Sequence, residues 1–366
     1  MSFSCDLQSL KNALSSVEKI VPTKSTIPIL EGIVFNAKEN TLFLSASNIN
    51  TDIEISIPAT VGIDASFVLI GKRIIDILRY LTDGIIKFSY DKGKGLVLIE
   101  KDITKYECLA FDEKEFPKKE FLKEGKKIEI DNEKFIECVK QTIFSVSSDE
   151  GKGVLVGEKI EIENNEISFI AIDGFRIAIK KTKIENAKEL EILIHAKELK
   201  EIVKILEKAK EETINLYIDE KSFSLYIDNI KIRSKLLEGT YVNYKEIFPK
   251  NEKTEIIIEK ENFENAIKRV SSIMEDKNTS GIKLDFVNDI LTISADNEGQ
   301  TAEEKIKIKK TGDDIFINFN IKFIEEILSV IDDENIKINL IGQEEAGIIL
   351  PEKGEEYKFL ILPIKL

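Results

Sequence analysis

The residues of this chain best able to make and break covalent bonds fall in three short motifs. Ser89-Tyr90-Asp91-Lys92 fits S-x-x-K, Tyr241-Val242-Asn243 stands where an S-D-N element would fall, and Lys310-Thr311-Gly312 fits K-T-G. That order is the one found in serine acyl-transferases acting on penicillin-like amides. Their chemistry needs the serine at the start of a buried helix and the lysine one turn on, so that the amine can take the hydroxyl proton. Ser89 instead lies in an alternating run, Ile85-Ile86-Lys87-Phe88-Ser89-Tyr90, that reads as a strand entering a turn. On a strand, residues three apart point to opposite faces. Lys310-Thr311-Gly312 reads as a polar turn before a strand. The acyl-transferase is the remote alternative, and no enzyme is expected.

Other chemistry is thinner still. Gly151-Lys152-Gly153-Val154-Leu155-Val156-Gly157 approaches the glycine spacing of a dinucleotide loop, but a strand is expected after it, so no helix N-terminus would face a phosphate. A single histidine, His195, excludes any scheme that needs two. The three cysteines, Cys5, Cys108 and Cys138, are far apart and form neither a disulfide framework nor a C-x-x-C metal clasp. Acidic runs such as Asp332-Asp333-Glu334 and Glu344-Glu345 read as solvated loops. No cofactor and no metal are expected.

The elements that would carry these residues repeat three times. Each third opens with a short strand pattern followed by an amphipathic helix pattern, at Leu7 to Val17, Phe135 to Phe144 and Phe263 to Val270. Apolar residues recur at i, i+3, i+4 and i+7, so one helix face is buried and the other wet. Asp131 or Asn132 offers the second copy an N-cap. A second helix pattern follows about sixty residues later, at Lys72 to Leu78, Lys197 to Val203 and Lys322 to Leu328, each after a strand pattern; Leu78, Val203 and Leu328 are evenly spaced. Alternating runs such as Ile85–Tyr90 and Leu96–Ile99 flank a glycine-containing turn and predict a β-hairpin. Two helices and many strands per third give an α+β class. Proline-marked, lysine-rich connections, Glu115-Phe116-Pro117-Lys118-Lys119 and Ile247-Phe248-Pro249-Lys250-Asn251, set domain edges near 126 and 253. The domains are expected at 1–126, 127–253 and 254–366.

With 366 residues, 42% hydrophobic and 33% charged, the chain has the balance of a water-soluble protein of several domains. No apolar run reaches the roughly 18 to 20 residues of a membrane span. Met1-Ser2-Phe3-Ser4-Cys5-Asp6 has neither the basic nor the apolar part of an export signal, so a cytoplasmic setting is expected. The net charge of −14 argues against nonspecific nucleic-acid or membrane binding by the whole surface. Over the six helix patterns, however, the charge sums to +5. One basic face on an acidic body suits contact with phosphate backbone without base readout.

Four motifs carry a resemblance. Ile172-Asp173-Gly174-Phe175-Arg176-Ile177-Ala178 is similar to a T-D-G-H-R-L-A segment, and Leu362-Pro363-Ile364-Lys365-Leu366 to a terminal M-P-M-R-L. Ser234-Lys235-Leu236-Leu237-Glu238-Gly239, followed by Tyr244 and Pro249, and Thr26-Ile27-Pro28-Ile29-Leu30 add to them. On these motifs, over its whole length, the chain resembles the bacterial sliding clamps, the beta subunits of DNA polymerase III. The resemblance implies three repeated clamp domains, each with two helices packed on antiparallel sheets, closing as a head-to-tail dimer into a ring around duplex DNA. Helices would line the hole and acidic sheets would face out. The implied role is processivity in DNA replication, with no catalysis. The implied partners are double-stranded DNA, a second copy of the chain, and the replicative polymerase, clamp loader and repair proteins through short linear motifs. A monomeric scaffold of the same fold is the alternative.

The same resemblance implies sites. Lys24 and Arg73 match basic positions that contact DNA, and the spacing of Lys197, Lys200 and Lys204 lets them share one helix face. A strand edge holding Tyr106 and Cys108 would meet Ile273, at the end of the third domain's first helix, in the dimer interface. A partner-peptide cleft is expected from Leu155, Ile172, Gly174, Phe175, Arg176, Ile177, Val242, Ile247, Phe323, Leu362, Pro363 and Ile364, with Arg176 and Asn320 holding polar groups at its rim. Phe175 and Ile172 replace the usual histidine and threonine, so the cleft is expected to be more apolar than in most relatives. Glu246 stands at an often basic position. Asp149, Gly153 and Val154 depart from the pattern where the family contacts DNA, and that role is not carried onto them.

Overall fold

A computed structural model describes residues 1–117, 120–185, 188–249 and 252–365. Lys118, Lys119, Lys250 and Asn251, which the sequence places in the two connections, and the terminal Leu366 lie outside the described residues.

The described residues contain six α-helices: α1 (Leu7–Val17), α2 (Gly71–Arg79), α3 (Asn132–Thr142), α4 (Ala196–Leu206), α5 (Lys260–Val270) and α6 (Ile321–Leu328). Each follows directly on a strand, the three-fold repeat read from the sequence. Where the cap is defined, the last strand residue often makes the turn. Asp6 accepts from Ser9 N at 2.8 Å, and Asn320 accepts from Phe323 N at 3.2 Å, each satisfying an N–H that the first helical turn leaves without a partner. One stripe of each helix is apolar and buried, as with Leu7, Leu10, Leu14 and Val17 on α1 or Ile321, Ile324, Ile327 and Leu328 on α6. Leu78, Val203 and Leu328 are all buried. Phe144 belongs to a 3-10 turn, Ile143–Ser145, rather than to the second copy's helix.

Two compact units divide the chain. One comprises Met1–Glu133 with Lys197–Leu236, the other Lys134–Ala196 with Leu237–Leu366. The cut runs through the middle third of the sequence because β-sheets continue across the expected domain edges. In the first unit, the 13-residue strand Thr51–Ile63 pairs with Ser2–Asp6, Thr41–Ser47 and Ile230–Lys235, joining twelve strands into one sheet. At the seam, Ile53 lies opposite Ile232, and the Thr51 and Ser234 hydroxyls share a buried hydrogen bond of 2.9 Å. The predicted hairpin forms between Ile85–Asp91 and Leu96–Lys101, and Asp91 accepts from Gly93 N and Lys94 N in its turn. Ser89 is on that first strand, as its alternation requires.

In the second unit, Arg176–Lys183 pairs with Tyr357–Ile361, giving a nine-stranded sheet; a separate four-stranded sheet runs from Gln300–Lys307 to Ile315–Asn320. Lys310-Thr311-Gly312 corrects the turn reading: it lies in a strand, Lys309–Gly312, paired with Thr254–Glu259. No helix among the described residues is long and apolar enough to cross a membrane.

Candidate functional site

The cations singled out in the sequence belong to the first unit. On α4, Leu199, Ile202, Val203 and Leu206 are buried, which leaves Lys197, Lys200 and Lys204 exposed together on the opposite face. Lys204 Nζ lies 2.7 Å from Glu201 one turn away, a solvated pair of small energetic weight. Lys24 is exposed in the irregular segment ahead of the 3-10 turn Pro28–Glu31. Arg73 is exposed on α2 and close to the strand Thr104–Leu109: burial raises the Cys108 thiol, and the Arg73 charge works against that rise. Arg73 is carried by a different element from the α4 stripe.

That edge is open. Thr104–Leu109 ends the twelve-stranded sheet and pairs, among the described residues, only with Leu96–Lys101. Tyr106 and Cys108 are half-buried, while Lys105, Glu107 and Leu109 alternate with them toward solvent. In the second unit, Ile273 sits in the 3-10 turn Ser271–Ile273 after α5 ends at Val270, half-buried against the core. A residue in a turn cannot extend a ladder. The strand that can is Gln300–Lys307, the outer strand of its four-stranded sheet, held beside α5 by the Arg269–Glu304 ion pair. The sequence reading missed this strand; its alternation is weak because charged residues occupy half of it.

The cleft residues all belong to the second unit. The turn from Glu166–Ile172 to Arg176–Lys183 is set by Asp173, which accepts from Phe175 N at 2.8 Å and Arg176 N at 3.0 Å, and by Gly174 at φ 97°, a left-handed conformation that favours glycine. The turn throws Phe175 outward, 56% exposed, and folds Arg176 inward, 5% exposed. The Arg176 guanidinium then lies 4.3 Å from the Phe323 ring and 5.1 Å from the Phe144 ring. It donates to Asp173 Oδ2 at 2.9 Å, to Glu326 Oε2 on α6, and to the Phe144 carbonyl at 2.7 Å. Phe323 in turn meets Phe175 at 6.4 Å between ring centres. The tail lies alongside: Leu362 N donates to the Phe175 carbonyl and Ile364 N to that of Asn318, each at 2.9 Å. Of the expected cleft residues, Phe175, Leu362, Val242 and Ile247 are exposed, and Leu155, Phe323, Pro363 and Ile364 are half-buried.

Four expectations need correction. Ile172 and Ile177 are register partners buried in one core cluster with Tyr241, Tyr244 and Leu360, so they back the patch rather than face it. Of the two replacements noted in the motif, Phe175 alone adds apolar surface. Arg176 is no rim group, because its donors are committed inside the fold. Asn320 is none either: it caps α6 and donates to the Asn278 carbonyl at 2.7 Å. The sequence also missed Lys152, whose Nζ sits 5.1 Å over the Phe175 ring and donates to the Asp173 carbonyl at 2.9 Å. Beneath the patch, burial works to raise the Glu161 carboxyl, but hydrogen bonds from Tyr244, Lys159 and Lys245 outweigh it and hold it below the usual range.

Three tandem α+β repeats of strand and helix, packed on antiparallel sheets, define the class of clamp folds. Comparison with known proteins gives the particular family. Residues 1–120, 129–243 and 245–365 match the N-terminal, central and C-terminal domains of the DNA polymerase III beta subunit. Beta sliding clamps of Staphylococcus epidermidis and Staphylococcus aureus are 28% and 29% identical, over 100% and 96% of this chain and 99% and 96% of theirs. The DNA polymerase sliding clamp of Bacillus subtilis superposes with a TM-score of 0.96 at 26% identity, covering 100% of this chain and 99% of that one. The chain belongs to the DNA polymerase III beta subunit family, the bacterial sliding clamps. It is accordingly a non-catalytic accessory to DNA replication rather than an enzyme.

Proposed function

We propose that this clamp works as a head-to-tail homodimer closed into a ring around duplex DNA, in the cytoplasm, tethering polymerase, clamp loader and repair proteins through short linear peptides. Its three domains would be 1–126, 127–253 and 254–366. Lys24, Arg73, Lys197, Lys200 and Lys204 would meet phosphates without reading bases. The observation that carries the ring is the pair of open strand edges: Thr104–Leu109 in one unit and Gln300–Lys307 in the other. An exposed edge is an aggregation liability unless something pairs with it. Two identical heterologous contacts that close on themselves remove both edges and give a ring in place of a fibre.

The peptide reading rests on Phe175, Phe323, Leu362, Val242 and Ile247 as anchoring surface. An extended peptide burying one leucine and one phenylalanine there gains roughly 3 to 6 kcal/mol before ordering costs, consistent with micromolar binding. Light scattering tests the ring: twice the 41.6 kDa chain mass is expected, and Ile273→Ala with Tyr106→Glu should halve it. A monomer at micromolar concentration in the unmodified protein supports the scaffold reading instead. Fluorescence polarisation with a labelled Q-L-x-L-F peptide tests the patch. Binding that survives deletion of Leu362 to Leu366 rejects it.

A further inference from the structure

In each repeat the strand that leads into the second helix carries one residue at the same register: Val68, Leu193 and Asn318, opposite Val34, Lys159 and Lys283. The chain returns to that residue after the repeat's last strand. Phe111 and Val68 exchange two backbone hydrogen bonds, at 2.9 and 3.0 Å. Leu237 N donates to the Leu193 carbonyl at 2.8 Å, and Ile364 N to that of Asn318 at 2.9 Å. In the first two repeats the returning chain then covers the outer face of the sheet. Phe111 and Phe116 pack on Val34 and Val68. Leu237, Tyr241 and Tyr244 pack with Leu193. The Tyr244 hydroxyl donates to Glu161, and its ring lies 5.7 Å from Lys159 Nζ.

The third repeat has the same frame without the cover. Lys283 and Asp285 stand where the second repeat has Lys159 and Glu161, two residues apart and so on one strand face. Lys159 pairs with Glu161 and Glu191, at 3.0 and 3.1 Å. Among the described residues, neither Lys283 nor Asp285 has an ion pair or hydrogen bond; Lys283 Nζ lies over the Phe316 ring at 4.7 Å. Asn318 Oδ1 is buried with no hydrogen-bond partner among the described residues, an expensive state for an amide oxygen. Phe316, Val287 and Ile290 on this face are exposed, whereas Val34, Val68 and Leu193 under the connections are buried. Leu362 bonds the Phe175 carbonyl two residues before Ile364 bonds Asn318, so this face begins where the peptide patch ends.

We propose that the outer face around Lys283, Asp285, Phe316 and Asn318 receives the flank of a docked partner peptide, an extended segment bearing a tyrosine. It rests on the peptide reading above and lengthens the footprint of that site. The tyrosine lies as Tyr244 lies in the second repeat: its ring against Phe316 and the Lys283 ammonium, its hydroxyl donating to Asp285. A backbone N–H of the flank satisfies Asn318 Oδ1, as expected for a chain laid along a sheet edge.

The test uses the full-length protein and fluorescence polarisation. The labelled Q-L-x-L-F peptide is compared with forms extended at either end by a flank carrying one tyrosine, and with the same flanks carrying serine in its place. One tyrosine form should bind about tenfold more tightly than the short motif, and its serine counterpart should lose the gain. Lys283→Ala with Phe316→Ala should abolish the gain while the short motif binds as before. Asp285→Lys alone should do the same, because it puts a donor where the hydroxyl needs an acceptor. Thermal unfolding of both variants checks that they fold. Extended peptides that bind no better than the short one overturn the flank site and leave the patch standing. So does a gain that survives in both variants. A short motif that fails to bind the unmodified protein overturns the patch, and the flank site with it.

Discussion

The exposed face of α4 and the corner built around Arg176 are both polar in composition and opposite in construction. On α4 the cations stand out from a buried apolar stripe, and the pairing of Lys204 with Glu201 is local and solvated. At the corner, one guanidinium is locked by Asp173, Glu326 and the Phe144 carbonyl between two aromatic rings. The difference matches two demands on a clamp. Contacts that must slide cannot depend on one geometry. Contacts that must dock a peptide gain affinity from a surface whose shape is fixed in advance.

The comparison can be broken most severely at Arg176. Arg176→Ala leaves the carboxylates of Asp173 and Glu326 without their cation, and a loss of about 3 to 5 kcal/mol in urea unfolding is expected, as for removal of one partner of a buried ion pair. Arg176→Lys keeps the charge without the planar fork and should fall between. If both variants unfold like the unmodified protein, the corner is not the rigid element described here. Phe175→Ala comes next. It should cost at least tenfold in peptide affinity by fluorescence polarisation, yet change stability by about 1 kcal/mol or less, since the ring is more than half exposed.

The helix face should respond in the reverse manner. Replacing Lys197, Lys200 and Lys204 together by Ala should leave thermal unfolding within a few degrees of the unmodified value. The same change should flatten the salt dependence of duplex binding by about 2.7 in log–log slope. A large stability loss would mean those lysines are structural. The smallest expected effect is in acid. Glu161 is held below the ordinary glutamate range in the folded protein, so its contribution is fully present at neutral pH and is lost as pH falls through that lowered value. Glu161→Gln should therefore make stability between about pH 5 and pH 3 less steep in pH, while duplex binding through lysines keeps its charge over the same window.

Particular residues show what could be read early. The Asp173-Gly174-Phe175-Arg176 turn was visible as a motif because a short side chain, a glycine and their neighbours act within four residues. The same motif did not say that Arg176 points inward, since that depends on Glu326, 150 residues away, and on the Phe144 carbonyl. Gln300–Lys307 was missed because its alternation is masked by charge. Ile273 was assigned to a helix end because a 3-10 turn continues the same local pattern for three residues.

The amino-acid sequence by itself determined the six helices, the strands that lead into them and the three-fold repeat, because 3.6-residue and two-residue periodicities are local and each copy obeys them alone. Tertiary structure decided where one repeat stops and the next begins to share its sheet. Thr51–Ile63 had to find Ile230–Lys235, and Thr51 hydrogen-bonds Ser234 across 183 residues of chain. It decided as well which cations are spent inside the fold and which stand exposed. Both outcomes depend on which strand edges and side-chain donors come to face each other, and periodicity carries no information about distant partners.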